Sequence, residues 1–544
     1  MRAARQRLAG LPAQNVALTG SGAHLVSLTG AVQEKLDALW ASGSFVEKLL
    51  RDSHLVPIAQ THSYEVPSID AGSIAAASPP QTVKDIHVTL GVDKGGTPAS
   101  VKIVAGLVNR RRPHRLRNPI LVGVCPSHRD DYDALSSMLG EHLDQVAQLV
   151  REGVVVGGVR RAVRLLMSGD YEALCTVHGH NGPNAAMPCL MCFCERARSR
   201  THAALNGIYG TMQDVDAPAP AHARTSAHLV SMAARADGPA NDQSQAALRS
   251  IARPPLFSVD PRQIVPIPLH ILLGITLRLL RLAIELVISC RGRPVASSFA
   301  FELVEKLRRV VRVRPAPYHG GVFIGRVCHA IAQRSDVICR ALLSLVAESD
   351  HVAYKRLWVL WRGISRTMNR AAEVHASEAR EFRANALLFV RHLKRSFLWV
   401  NISPKLHILM YNAPDVLDLF GSIGLYGEQS IEAWHGFFTQ NAAKYAAETE
   451  VGACANFVRA MAVAREASDA NLSTDARKPA PEVARTAKKA GDRRRRENKG
   501  GPVECESTRE KAIQDGRKWA QNVFEEGGRT VEVFLTRLAA RVDR

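Results

Sequence analysis

The chain has 544 residues, with 71 Lys and Arg against 51 Asp and Glu, for a formal net charge of +20. That length suits about two to four structural units, and the charge points to a polyanionic partner, nucleic acid before membrane, although an Arg-rich coding composition gives the same balance. Ten scattered cysteines without disulfide spacing, and no apolar signal-peptide core at the start, suit a reducing intracellular compartment and exclude a disulfide-framed secreted domain.

Residues 1–80 are small, polar and rich in Ala, Gly and Ser, with one helix expected around Val32 to Leu50 and no zinc-finger or helix-turn-helix pattern. Ile86, Val88, Leu90 and Val92 then alternate with His87, Thr89, Gly91 and Asp93, which predicts a strand with one buried face. A Lys94-Gly95-Gly96 turn leads to a second strand over Val101 to Val108, and Ile120 to Val124 fits a third. Asp131 to Val150 has helical periodicity through Leu135, Met138, Leu139 and Leu143, and Ala162 to Met167 returns as a fourth strand just before Asp170. Three strands, a helix and a strand ending at an acidic residue open an RNase H-like fold, though other α/β domains begin similarly.

Strand signals fade between about 200 and 400. Ser226 to Ile251 reads as loop, whereas Pro266 to Cys290, Ser297 to Val313, Val322 to Glu348 and Ala371 to Trp399 read as helices. The long apolar stretch from Ile264 to Cys290 carries Arg278, Arg281 and Glu285 at helical spacing, so it is expected to be a buried or amphipathic helix and not a membrane span. Beyond Leu472 the chain turns polar and basic, with Lys488, Lys489 and Arg493 to Arg496, a run suited to nuclear import, to phosphate contacts or to a solvated linker. A short amphipathic helix is expected from Ala520 to Arg541.

Acidic residues at strand ends matter because two-metal phosphoryl transfer needs carboxylates converging from separate elements, with two Mg²⁺ or Mn²⁺ ions about 4 Å apart. Asp93 and Asp170 stand at such positions. Near the end, a helix over 427–440 would bring Glu428 and Glu432 onto one face with His435 nearby, and spacing alone does not choose between the two glutamates. Cys189 and Cys192 have zinc-ligand spacing, with Cys194 beside them; a single Cys-x-x-Cys is half a site. Lys94 and the basic group Arg110, Arg111, Arg112, His114 and Arg115 are candidate phosphate contacts, or simply an exposed loop. No Walker-type loop, G-x-S-x-G elbow or zinc-protease signature is present.

Several of these stretches resemble one family. Val88-Thr89-Leu90-Gly91-Val92-Asp93-Lys94-Gly95-Gly96, Met167-Ser168-Gly169-Asp170-Tyr171, Pro188-Cys189-Leu190-Met191-Cys192, and Ala413-Pro414-Asp415-Val416-Leu417 running into Gly421-Ser422-Ile423-Gly424 are similar to segments of the V(D)J recombinase core and Transib-like DDE transposases. The resemblance covers roughly residues 85 to 445. It implies Asp93, Asp170 and Glu432 as the carboxylates of a two-metal Mg²⁺ or Mn²⁺ site, Glu432 lying eight residues after Gly424. It implies a zinc site in which Cys189 and Cys192 are joined by two histidines five residues apart. His407 takes the first of those positions, but the second is Asn412, a poor zinc ligand, so either Cys194, Cys175, His178 or His180 completes the set or zinc binding is weakened or lost and the cysteines are simply buried and reduced. Pro268-Leu269-His270-Ile271 resembles an element whose histidine approaches the active site, making His270 a secondary candidate.

The expected architecture is therefore an α/β, RNase H-like domain interrupted by a long, mainly α-helical insertion, with about 260 residues between Asp170 and Glu432. Its expected parts are an N-terminal segment (1–80), partly disordered with one helix, the first part of the core (81–175) and the helical insertion with the Cys-x-x-Cys (176–402). The C-terminal part of the core with the Glu helix (403–470) and a basic, largely disordered tail with a terminal helix (471–544) follow. The resemblance implies metal-dependent DNA strand cleavage and strand transfer at transposon ends, through a DNA hairpin, by a nuclear homodimer on double-stranded DNA, with room for an accessory subunit. Two other readings remain: a domesticated or degenerate copy that binds DNA without cutting it, and a basic scaffold or RNA-binding protein in which the three acids lie far apart.

Overall fold

The computed structural model describes residues 17–18, 24–25, 85–95, 100–108, 120–126, 132–156, 159–194, 223–236, 250–257, 259–313, 323, 325–400, 402–427, 514, 516–526 and 528–532. It has mixed α/β content, one small sheet and many helices. The chain separates into two compact units, one of residues 1–269, 366–387 and 402–470, the other of residues 270–365, 388–401 and 471–544.

The first unit is built on a seven-stranded sheet of order β1-β2-β5-β4-β3-β7-β6. Its strands are β1 (Ala17–Leu18), β2 (His24–Leu25), β3 (Asp85–Gly95), β4 (Ser100–Leu107), β5 (Ile120–Pro126), β6 (Val154–Val156) and β7 (Val159–Gly169). β3, β4 and β5 form an antiparallel meander; helix α1 (Tyr132–Glu152) then carries the chain over to β7, which pairs with β3 in parallel. The N-terminal segment contributes more than the one helix expected of it. β2 extends the sheet at β5 through His24↔Val124 and Leu25↔Gly123, and the expected helix at Val32 to Leu50 lies outside the described residues.

β3 departs from its sequence pattern in an informative way. The alternation predicts one buried face, yet Ile86, Val88, Leu90 and Val92 are buried and so are His87, Thr89 and Gly91. A central strand is covered on both sides, and here the polar face is roofed by the C-terminal part of the unit. Tyr426 hydrogen-bonds His87 Nδ1 at 2.8 Å across that face. Thr89 donates to the Gly106 carbonyl on the neighbouring strand. His87 and Thr89 therefore face protein, not solvent.

Helix α2 (Tyr171–Val177) starts directly from the end of β7. Ser226 to Ile251, read from sequence as loop, begins instead with helix α3 (Ser226–Ala236). Its Ala and Ser content hides a periodic apolar side on which Leu229, Met232 and Ala233 pack against Ile251.

The second unit is helical. The two helices expected at Pro266 to Cys290 and Ser297 to Val313 are both present and meet at Gly292, whose φ of 79° and ψ of 174° are not helical; together they span α4 (Pro268–Lys306), finished by a π turn over Leu307–Val311. The stretch expected as one helix from Val322 to Glu348 is split into α5 (Gly325–Gln333) and α6 (Asp336–Leu342), and α7 (Glu348–Met368) follows where no helix was expected. α8 (Ala376–Ser396) falls where Ala371 to Trp399 predicted it. Residues 516–526 and 528–532 are helical as well.

α4 is buried nearly all round through Leu279, Leu280, Leu282, Ala283, Ile284, Leu286 and Val287, as expected of a helix at the centre of a bundle. Tyr354 donates to the Leu279 carbonyl and Trp361 Nε1 to Thr276 Oγ1, anchoring α7 along it. The charges in its apolar run have a packing role. Arg278 grips Glu285 with two hydrogen bonds of 2.8 Å, and Trp399 Nε1 donates to the same carboxylate, which is fully buried. Arg278→Ala is expected to cost about 3–5 kcal/mol in urea unfolding by stranding a buried carboxylate. Replacing Arg278 and Glu285 together by Met should cost less, and equal costs would contradict this account. Among the described residues, no helix is long and apolar enough to cross a membrane.

Candidate acidic site and metal cluster

β3 and β7 run side by side in register up to Val92↔Gly169. Asp93 is the next residue on one strand and Asp170 the first beyond the other. Neighbouring strands are about 4.8 Å apart, so the two acidic positions leave the same end of the sheet as neighbours. Asp170 is half-buried and starts α2 with φ −57° and ψ 144°, without capping the helix through its side chain. Gly169 makes this close arrangement feasible. Its φ is +152°, and a Cβ there would fall 2.2 Å from the Val92 carbonyl oxygen. Gly169→Ala is expected to cost at least about 2 kcal/mol from the strained backbone alone, read as a lowered melting temperature; an unchanged melt would refute the close packing of these strand ends.

The third acidic position is approached by the described chain but not reached by it. Helix α10 (Ala413–Phe420) ends at Gly421, and Ser422 to Gly427 folds onto the rest of the unit. Ser422 Oγ donates to the Arg370 carbonyl, and a Cβ on Gly424 would sit 2.7 Å from the same oxygen. Tyr426 reaches His87 on β3, and Gly427 lies against Pro268. Glu428, Glu432 and His435 lie outside the described residues, as do Arg110, Arg111, Arg112, His114 and Arg115. Lys94 occupies a β3 position next to Asp93, paired in register with Val101. His270 is half-buried in the first turn of α4 and belongs to the helical unit.

Two cations that the sequence did not single out stand at this end of the sheet. Lys102 is the register partner of Asp93 on β4 and is fully buried. An ammonium is rarely enclosed without a charged or strongly polar partner. Lys405 is half-buried; burial pulls its pKa down while the charge of Asp170 works the other way. Buried lysines have no sequence signature of their own, so only the register and the burial expose them.

The cysteine motif lies immediately behind Asp170. Tyr171 Oη donates to the Pro188 carbonyl at 2.7 Å and accepts from the Leu190 amide at 2.8 Å, tying the start of α2 to the Cys189 loop. The buried Arg224 holds the loop from the other side, its Nε donating to the carbonyls of Cys189 and Cys192. His180 is engaged in the same scaffold, with Nε2 at 2.9 Å from the Met187 carbonyl and Nδ1 accepting from the Gly182 amide.

Across from this loop lie α9 (Pro404–His407), a π turn (Ile408–Asn412) and α10 in direct succession. Ligand atoms of Cys189, Cys192 and His407 lie within 4.8 Å of one another, all three side chains buried. Cys192 Sγ is 3.3 Å from His407 Nε2, and Cys189 Sγ donates to Asn412 Oδ1 at 3.7 Å. The positions separated by five residues thus face one cluster. The π turn accounts for this: the Ala413 amide bonds to the Ile408 carbonyl, and an i→i+5 turn brings residues five apart back to one side. In a plain α-helix they would be about 140° apart.

Without a metal, the electrostatics are those of a thiolate beside an imidazolium. Burial opposes the charged form of His407, but the adjacent Cys189 outweighs it and holds the imidazole up at about 10. Burial likewise opposes the Cys189 thiolate, yet the Cys192 thiol and the His407 ring bring its pKa well below the usual thiol range. Donation to Cys189, then burial, pushes Cys192 up. Of the other ligands considered from sequence, Cys175 is kept protonated by burial and His180 is pushed down to about 3 by burial, while His178 is pushed down to about 4 by the same cause. Among the described residues, Cys189, Cys192 and His407 form the one group able to hold a metal ion.

Compared with protein-family models and with curated proteins, the chain matches none. The site has to be read from its own chemistry, which offers paired acidic positions at a sheet end and a soft-donor cluster behind one of them.

Proposed function

We propose that this chain is a DDE-type transposase or recombinase that cleaves DNA strands and transfers them at transposon ends, using Asp93, Asp170 and Glu432. The observation that carries the reading is the register of β3 and β7, which makes Asp93 and Asp170 neighbours at one sheet end. Support comes from the order of strands around them. An antiparallel meander followed by a helical crossover to a strand parallel with the first suits an RNase H-like domain, and a helical insertion between Asp170 and Glu432 suits the second unit.

Carboxylate oxygens are the hard donors that Mg²⁺ and Mn²⁺ take, so Asp93, Asp170 and Glu432 would hold the ions. Bound there, two such ions activate an attacking 3′-hydroxyl and stabilise the leaving oxygen. The chain itself supplies the rest. Gly169 lets β3 and β7 close up, Lys405 offsets the charge of Asp170, and Tyr171 fixes the start of α2 against the cysteine loop. We assign Zn²⁺ to the Cys189–Cys192–His407 cluster, since its donor set is that of a structural zinc centre. Double-stranded DNA, a homodimer holding two ends, an accessory subunit and a nuclear location complete the proposal.

Asn412 favours one second reading, a degenerate copy that binds DNA without cutting it. Purified protein given Mn²⁺ and a nicked, end-containing DNA separates the two. Strand transfer that disappears with Asp93→Asn supports the enzyme; binding without transfer supports the degenerate copy. Salt dependence does not decide, because both readings predict a steep loss of affinity with salt.

A further inference from the structure

We propose that Cys194 is the fourth ligand of the metal centre, giving a Cys₃His site in place of the two-histidine site that Asn412 does not allow. The inference rests on reading the cluster as a metal centre. A closed structural zinc site takes four donors, and Cys189, Cys192 and His407 supply three. Asn412 comes near with its amide oxygen, 3.7 Å from Cys189 Sγ, but a neutral hard oxygen is a weak partner for a borderline-soft ion already bound by thiolates.

Cys194 has the better chemistry and the right side of the chain. It is a free thiol, fully buried. Cys192 forms a β-bridge with Ala223, so the backbone is extended there, and in an extended chain residues two apart face the same way. Cys192 and Cys194 therefore share a side, while Phe193 between them packs against Arg224 and His228. Cys194 therefore lies on the side of the loop from which Cys192 joins the cluster.

Cys194 stands outside the triangle in which the other three donors lie within 4.8 Å of one another. A tetrahedral ion with Zn–S bonds of about 2.3 Å holds its ligand atoms about 3.8 Å apart, so closure requires this thiol to move inward. The buried Arg224 guanidinium beside the loop favours a third thiolate, since three thiolates and a divalent ion carry one net negative charge. His180 is poorly suited because it spends both ring nitrogens on the loop scaffold, and His178 and Cys175 are not part of the group of donors around Cys189. Binding releases to solvent every proton that the sulfurs and the His407 ring carry, because the ion takes thiolates and a neutral imidazole.

The test is cobalt(II) loading of the full chain, in which thiolate-to-metal charge-transfer absorption scales with the number of sulfur ligands. The expected result is intensity for three thiolates, reduced by about a third in Cys194→Ser with at least about 10²-fold weaker binding, and unchanged in Asn412→Ala. The double variant Cys194→Ser with Asn412→His should regain the affinity at two-thirds of the intensity. X-ray absorption on the zinc-loaded wild type, with an expected sulfur-to-nitrogen ratio of three to one, answers the question even if a variant does not fold. Two sulfurs in the wild type, or metal lost from Asn412→Ala and kept by Cys194→Ser, overturns the assignment while leaving the metal centre in place. A wild-type chain that takes up neither cobalt nor zinc overturns both.

Discussion

Asp170→Asn is expected to lower metal-dependent strand cleavage at least about 10³-fold while leaving the fold almost untouched. Each factor of ten is about 1.36 kcal/mol of barrier, and a charged ligand to the reacting centre is worth several. The fold should tolerate the change because the Asp170 side chain does not cap α2 and is only half-buried. An isosteric amide at such a position usually shifts stability by less than about 0.5 kcal/mol. Single-turnover cleavage of end-containing DNA in Mn²⁺, beside a circular-dichroism melt, separates catalytic loss from unfolding. A variant that melts normally and still cuts would remove Asp170 from the chemistry, and with it the neighbour relation that carries the functional proposal.

Stripping the soft-donor cluster of its metal should have the other large effect. Structural zinc contributes apparent binding energies of about 10–16 kcal/mol, comparable with the whole stability of a domain at about 5–15 kcal/mol. A chelator is therefore expected to melt the region around the Cys189 loop and α2 well below the melt of the metal-loaded protein. It should also expose Cys189 and Cys192, which are otherwise buried, to thiol reagents. Because Tyr171 ties that loop to the residue after Asp170, cleavage should fall as well, and adding Mn²⁺ alone should not restore it. Thiols that stay unreactive and a melt that does not move after chelation would show that the cluster is a set of packed, reduced side chains.

The sequence made some of this legible for physical reasons that particular residues illustrate. β3, β4, β5, α1 and β7 were readable because each has a strong period or a turn at its end. Asp93 and Asp170 were both read as strand-end acids; β7 does stop at Gly169, one residue before Asp170, whereas β3 runs past Asp93 to Gly95. The segment Gly421 to Gly424 was conspicuous through its resemblance to a family motif, and the structure presses Gly424 on the Arg370 carbonyl. The polar face of β3 misled because alternation reports polarity, and His87 and Thr89 satisfy theirs against protein. α3 was missed because Ala and Ser mask periodicity. Lys102 was invisible because its meaning lies in a cross-strand register and in burial, neither of which a linear pattern displays. Glu432, the residue with the most specific sequence motif, falls beyond the described residues.

The π turn over Ile408–Asn412 constrains how this protein can change by insertion and deletion. Removing one residue there would regularise the helix into ordinary α form, a local gain in backbone bonding that a single-site view would score as harmless. The same deletion would rotate everything after it by about 100° relative to His407, taking position 412 away from Cys189 and turning α10 off its packing surface. Length in this stretch should therefore be less tolerant of change than side-chain identity.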